Sequence, residues 1–243
     1  RGGDGGGPRG LRGGAVVVSK RLALLEGKPA GSLVIHEIYR SLQGESTYVG
    51  LPFVFVRLSV CDARCVWCDT PHAFQQGETL PLDEVVARVL EHRTAHVLVT
   101  GGEPLLQPEV LPLMTRLADA GLEVLLETSG AHDVSAVDER VVVVMDLKCP
   151  DSGEVEHNRY ENLAVLGPRA QIKFVVASRG DFDWAVDRCR EHDLAGRFEV
   201  LFSPVFGAVA PRDLAAWLLA SDCGGRLQLQ LHKQIWDPSA RGV

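Results

Sequence analysis

The chain has 243 residues, 46% hydrophobic and 23% charged, an ordinary globular composition at a length that buries roughly 70–75% of the unfolded surface. This excludes reading the six cysteines as staples of a small secreted scaffold. The 25 basic and 32 acidic residues give a net charge of -7, which argues against the basic face that phosphate contacts demand of a direct nucleic-acid binder.

The first fourteen residues hold eight glycines, three arginines and one aspartate. A segment so poor in apolar groups cannot offset its ordering entropy, so it reads as a disordered extension, with an RGG-like RNA-binding tail as the other reading. Residues 1–33 are expected to be a leader and approach segment, and 34–243 a single domain. No apolar run approaches the ~20 residues a bilayer crossing needs. The expectation is a soluble enzyme of a reducing cytoplasm, with no membrane and no nucleic-acid partner.

Short β-branched runs then alternate with amphipathic stretches. In chain order, strands are predicted at 53–58, 97–100, 123–127, 141–146, 171–176, 198–202 and 227–231. Helices are predicted at 82–92, 109–120, 181–192 and 211–220, the last with Pro211 in its first turn. Strand–helix alternation implies right-handed βαβ units around a parallel sheet. About six such units are too few for a closed eight-fold barrel, so the expected fold is α/β, a partial open (β/α)6-type barrel. A flat doubly wound sheet is the second choice.

Active sites of such folds collect beyond the C-terminal ends of the strands. There the chain reads Ser59-Val60-Cys61, Gly101-Gly102-Glu103-Pro104, Thr128-Ser129-Gly130, Leu147-Lys148 and Ser203-Pro204. Cys61, Cys65 and Cys68 form a C-x3-C-x2-C array directly after the strand at 53–58. Three thiolates suit a [4Fe–4S] cluster with one open iron, whereas structural zinc wants four ligands and would have to recruit His72. Cys149, Cys189 and Cys223 are scattered and read as ordinary buried thiols.

The cysteine array, with Trp67 before its last member, and the Gly-Gly-Glu-Pro turn one strand later resemble the radical S-adenosylmethionine superfamily. More finely, residues 35–237 resemble the 7-carboxy-7-deazaguanine synthase family. The likeness rests on Ser41-Leu42-Gln43-Gly44-Glu45, Trp67-Cys68-Asp69-Thr70, Asp146-Leu147-Lys148-Cys149-Pro150, Ser203-Pro204-Val205-Phe206-Gly207 and Gln230-Leu231-His232-Lys233. It implies a carbon–nitrogen lyase with a [4Fe–4S] cluster, S-adenosylmethionine and Mg2+ as cofactors. Such an enzyme converts 6-carboxy-5,6,7,8-tetrahydropterin to 7-carboxy-7-deazaguanine and ammonia by radical ring contraction, with S-adenosylmethionine re-formed each turnover. It further implies a homodimer and an electron donor such as flavodoxin or ferredoxin.

By that resemblance Cys61, Cys65 and Cys68 hold the cluster. Trp67, Cys68, Asp69, Gly101, Gly102, Glu103, Asp146, Lys148, Ser203 and Pro204 surround S-adenosylmethionine. Leu42, Gln43, Gly44, Glu45, Arg57, Thr100 and His232 contact the pterin, and Thr70 binds Mg2+. Each has a plainer reading beside it: Arg57 as a structural ion-pair partner, Thr70 as a cap for the next turn, Lys148 as a surface charge, and His232 as a packed histidine beside a solvated Lys233. A glycyl-radical activating enzyme acting on a partner protein shares the cysteines and the Gly-Gly-Glu-Pro turn, and a zinc-stabilised binding protein shares the cysteines alone. The polar stretch 151–157 and the tail 237–243 have no assigned place.

Overall fold

A strand buried on both faces must be apolar at every position rather than at alternate ones, and this is how most strands of the chain read. The computed structural model describes residues 21–238 and 240–243; the glycine-rich stretch 1–14 lies outside the described residues. Its elements are β1 (Ser32–Leu42), β2 (Pro52–Leu58), β3 (Glu78–Pro81), α1 (Leu82–Glu91), β4 (His96–Gly101), α2 (Val110–Asp119), β5 (Glu123–Thr128), β6 (Val142–Asp146), β7 (Gln171–Val176), α3 (Arg179–Glu191), α4 (Leu194–Arg197), β8 (Glu199–Pro204), α5 (Pro211–Ser221), β9 (Arg226–Leu227) and α6 (His232–Ile235).

The strands form one sheet in the order β3-β1-β2-β4-β5-β6-β7-β8-β9. From β2 onward the pairs are parallel, while β1 runs antiparallel to both β2 and β3. The ends of that order do not pair, so the barrel is open, as expected. Among the described residues no helix is long and apolar enough to cross a membrane.

Three expectations are corrected. The ordered body starts before residue 34: β1 begins at Ser32, Leu33 is fully buried, and Lys28 is tied to Glu109 at 2.6 Å. The run 227–231 is a strand only at Arg226–Leu227, because the residues after it bond elsewhere: the Leu231 amide donates to Gly44 and the Gln228 side chain accepts from Ser46. His232 and Lys233 stand on the short α6 that follows. Finally, β5–β6 and β6–β7 are joined without α-helices; the second connection carries the 3-10 turns Pro150–Ser152, Val155–His157 and Tyr160–Ala164.

The inner face of the sheet is layered. Phe53, Phe55, Leu98, Leu125, Val142 and Val144 form a buried apolar floor, while Val54, Val56, Val97, Val99, Val124 and Leu126 alternate with them and pack toward the helices. Burying such side chains stabilises by about 1.5–3 kcal/mol each. Two residues further along each strand, the alternation that gives the floor brings Arg57, Thr100, Glu127 and Asp146 to the same inner face.

Candidate active site

Above the floor lies a cavity of about 580 Å3, within the size range of small-molecule sites. Cys61, Cys65 and Cys68 line one wall on the loop that leaves β2. That loop is braced by neighbours: the Val66 amide donates to the Ser152 carbonyl at 3.1 Å, the Arg64 amide donates to Glu154 at 2.6 Å, and His132 bonds Asp62 at 3.0 Å. The stretch 151–157, unplaced from sequence, thus buttresses the cysteine loop. At its entry Val60 has φ 78°, a left-handed conformation that costs a β-branched residue about 1–3 kcal/mol and is found where surrounding structure over-determines the backbone.

All three thiols are free, and burial pushes the Cys61 thiol up to about 12. Coordination to a metal centre would deprotonate such a thiol outright. Among the described residues, the three sulfurs and His72 do not form a group whose ligand atoms all lie within 4.8 Å of one another, so they do not converge on one zinc ion. Three thiols spread along one loop suit a larger iron–sulfur cluster.

The Gly-Gly-Glu-Pro turn abuts this loop. Glycine is obligatory at Gly102, where a Cβ would stand 2.0 Å from the Val60 carbonyl oxygen. The Gly102 amide donates to Leu58 and the Glu103 amide to Val60, at 3.0 and 2.8 Å. The Glu103 side chain is fully buried and accepts from Leu105, Thr128 and Ser129 at 3.0, 2.9 and 2.7 Å. It orders the loop and does not line the cavity, whereas Gly101 and Gly102 do. Ser203 and Pro204 are likewise buried in the end of β8, outside the lining.

The same cavity is lined by a buried charge network. Lys173 Nζ lies 2.9 Å from Glu45 and 3.2 Å from Asp146, and Lys148 Nζ lies 2.5 Å from the other Asp146 oxygen. Lys148 is therefore an interior partner and not a surface charge. Burial favours the neutral form of these acids, but Lys173 holds Glu45 below its ordinary pKa, and Lys148 with Lys173 do the same for Asp146. Glu127 accepts from the Thr100 hydroxyl at 3.3 Å, and the charges of Lys173 and Arg57 only partly offset its burial. Burial, reinforced by the charges of Glu45 and Asp146, raises its carboxyl to about 7.

Arg57 donates to Glu37 at 2.7 Å and to the Tyr39 hydroxyl at 3.2 Å, so its structural ion pair is present even as it lines the cavity. Leu42, Gln43, Gly44 and Glu45 line it too. A Cβ on Gly44 would fall 2.2 Å from His232 Nδ1, which explains the glycine there. Gln230 donates to Glu45 at 2.8 Å and Lys233 to Asp69 at 2.9 Å. Thr70 stands 3.8 Å from the Cys68 sulfur and its side chain makes no cap for the turn Pro71–Phe74. Trp67, Asp69, Thr100 and His232 complete the predicted residues on the lining.

Sequence reasoning missed Glu127, Lys173, Gln230 and Tyr39 as cavity residues. For Lys173 and Glu127 the signal was present: each is a lone charge inside an apolar strand, the same pattern that marks Arg57 and that is costly unless the charge is partnered.

Comparison with known proteins agrees with this geometry. The model of the Radical SAM superfamily matches residues 56–149. The chain is 44% identical over 224 residues to the 7-carboxy-7-deazaguanine synthase of Koribacter versatilis (strain Ellin345), covering 86% of this chain and 99% of that one. It is 46% identical over 214 residues to the 7-carboxy-7-deazaguanine synthase of Chlorobaculum tepidum, covering 87% and 97%. Among solved structures it is similar to the crystal structure of QueE from Escherichia coli, with a TM-score of 0.69, 25% identity, and coverage of 83% of this chain and 95% of that chain.

Proposed function

Because the chain belongs to the 7-carboxy-7-deazaguanine synthase family of radical S-adenosylmethionine enzymes, we propose that its cavity binds 6-carboxy-5,6,7,8-tetrahydropterin and turns it into 7-carboxy-7-deazaguanine and ammonia. The observation that carries this reading is the shared cavity, lined by three free thiols and a partnered acid–base network. The rival activating enzyme is not favoured, since the full-length relatives are named as synthases.

When bound, the cluster and S-adenosylmethionine supply the 5′-deoxyadenosyl radical that takes hydrogen from the substrate. Cys61, Cys65 and Cys68 would hold the cluster. Trp67, Asp69, Gly101, Gly102, Asp146 and Lys148 would form the S-adenosylmethionine envelope, with Glu103 ordering the Gly-Gly-Glu-Pro loop from behind and Ser203 and Pro204 shaping the wall from within β8. The chain's own contribution is orientation and exclusion of water. Backbone groups of Leu42–Gly44 and the Glu45 carboxylate present acceptors and donors to a guanine-like edge. Arg57, its fork already aimed by Glu37 and Tyr39, offers a planar cation to the substrate carboxylate, with His232 on the same rim. Glu127, poised near neutrality beside Thr100, is the group in the cavity best matched to move a proton at physiological pH.

Thr70 supplies a hydroxyl for Mg2+, which prefers oxygen ligands and retains waters. A homodimer, a flavodoxin- or ferredoxin-type electron donor and a cytoplasmic location belong to the same proposal, supported by the family resemblance.

The test is anaerobic incubation of the reconstituted protein with 6-carboxytetrahydropterin, S-adenosylmethionine, Mg2+ and a reductant. Formation of 7-carboxy-7-deazaguanine is expected. No deazapurine from protein with an intact cluster would overturn the reading.

A further inference from the structure

At the edge of the cavity, His36, Glu37 and His72 bring one ligand atom each to within 4.8 Å of one another. The arrangement depends on a local irregularity. His36 and Glu37 are neighbours on β1, and regular pleating would send their side chains to opposite faces. The register between β1 and β2 shifts between Ile35 and Glu37, and a bulge of this kind re-aims a side chain. His72 arrives from the turn after the cysteine loop, its ring centroid 5.0 Å from that of His36. All three residues are partly exposed, so an ion reaches them from solvent.

Two further contacts have the form of supports behind metal ligands. His36 Nδ1 lies 3.0 Å from the Gln76 carbonyl; donating there fixes the tautomer and leaves the Nε2 lone pair for a cation. One Glu37 oxygen is held by Arg57 at 2.7 Å, which orients the carboxylate. Two imidazoles and one carboxylate are a donor set for a divalent transition metal of borderline softness and not for Mg2+ or Ca2+. We propose that His36, Glu37 and His72 form a transition-metal site, with Zn2+ as the type ion, separate from the thiol and hydroxyl ligands of the main cavity.

The experiment uses protein whose iron–sulfur cluster has been reconstituted, so that the cysteines are occupied. Anaerobic equilibrium dialysis against Zn2+, with Mg2+ in excess, is followed by zinc, iron and sulfide analysis. The expected result is one zinc per chain with iron and sulfide unchanged. His36→Ala and His72→Ala should each weaken zinc binding at least tenfold, and His192→Ala, whose ring stacks on Tyr160 and is not part of the cluster, should leave it unchanged. His36→Gln, which keeps a polar partner for Gln76, should lose zinc as His36→Ala does while retaining the cluster, which separates ligand loss from misfolding. No zinc uptake, uptake that proceeds only as iron is lost, or uptake indifferent to His36 and His72 would overturn the proposal. None of these readouts depends on the synthase reaction.

Discussion

Lys173 and Glu45, 128 positions apart, meet with 2.9 Å between Nζ and Oε2. The contact joins the seventh strand to the loop that precedes the second, and the same ammonium reaches Asp146. One buried cation thus faces two acids on the cavity wall; removing it leaves Glu45 without a cation and Asp146 with Lys148 alone.

Lys173→Met is therefore expected to destabilise the fold by about 3–5 kcal/mol, the cost of breaking a buried pair from one side, and to abolish turnover. Adding Glu45→Gln should recover part of the stability and none of the activity. Urea denaturation of the single and double variants, with product assay, measures both.

The cysteines should divide cleanly. Cys61→Ala, Cys65→Ala and Cys68→Ala are each expected to lose the brown chromophore and all product. Cys149→Ala, Cys189→Ala and Cys223→Ala, whose side chains are buried, should keep the cluster and lose roughly 1 kcal/mol of stability from the small void. Iron and sulfide analysis with thermal melts separates the two groups.

Glu127 gives a pH signature. Its folded carboxyl titrates at about 7 against an ordinary 4.5, so between these values the folded protein holds a proton that the unfolded chain has released. Its stabilising share is present below about pH 4.5 and is lost as pH rises through 7. Relative to wild type, Glu127→Gln should gain stability steadily over that window and level off above it, by about 3 kcal/mol at pH 8. Paired denaturation curves from pH 5 to 8 give the difference; a flat difference would remove Glu127 as the titrating group.

Gly102→Ala places a methyl 2.0 Å from the Val60 carbonyl, backbone that cannot swing away. The two loops must part, so activity should fall at least 100-fold, with S-adenosylmethionine binding weakened in an equilibrium dialysis measurement.

Thr70→Ala is expected to keep cluster content and to lose most of the Mg2+ stimulation of kcat/KM. Full activity with an unchanged Mg2+ response would show that the hydroxyl is not a ligand.

Much of the site was legible because soft thiols at fixed spacing and a glycine pair state their chemistry locally. Arg57 was legible as a charge inside an apolar strand. Lys173 and Glu127 carry that same mark, yet their meaning depends on which acids face them, and Glu45 and Asp146 approach only through long-range folding. The parallel strands were legible from their continuous apolar runs, whereas β1 mixes polar and apolar residues and announces itself only through pairing with β2 and β3. The alternation of Gln228-Leu229-Gln230-Leu231 suggests a strand, but its glutamines bond Ser46 and Glu45 and draw the chain out of the sheet. Glu103 matches its family motif in sequence, while its burial behind the loop shows only in three dimensions.

The brevity of β9 bears on how the molecule breathes. Central strands β4 to β6 have ladder partners on both sides, while β9 pairs with β8 through two residues and one amide bond from Leu231 to Gly44 and a few glutamine contacts lace the stretch after it to loop 43–51. Local opening starts where the fewest bonds must break. Amide protons at 228–236 should accordingly exchange with deuterium well before those at 97–99. The seam expected to yield first carries Gln230 and His232, both on the cavity lining, whereas the apolar floor lies in the strands expected to exchange last.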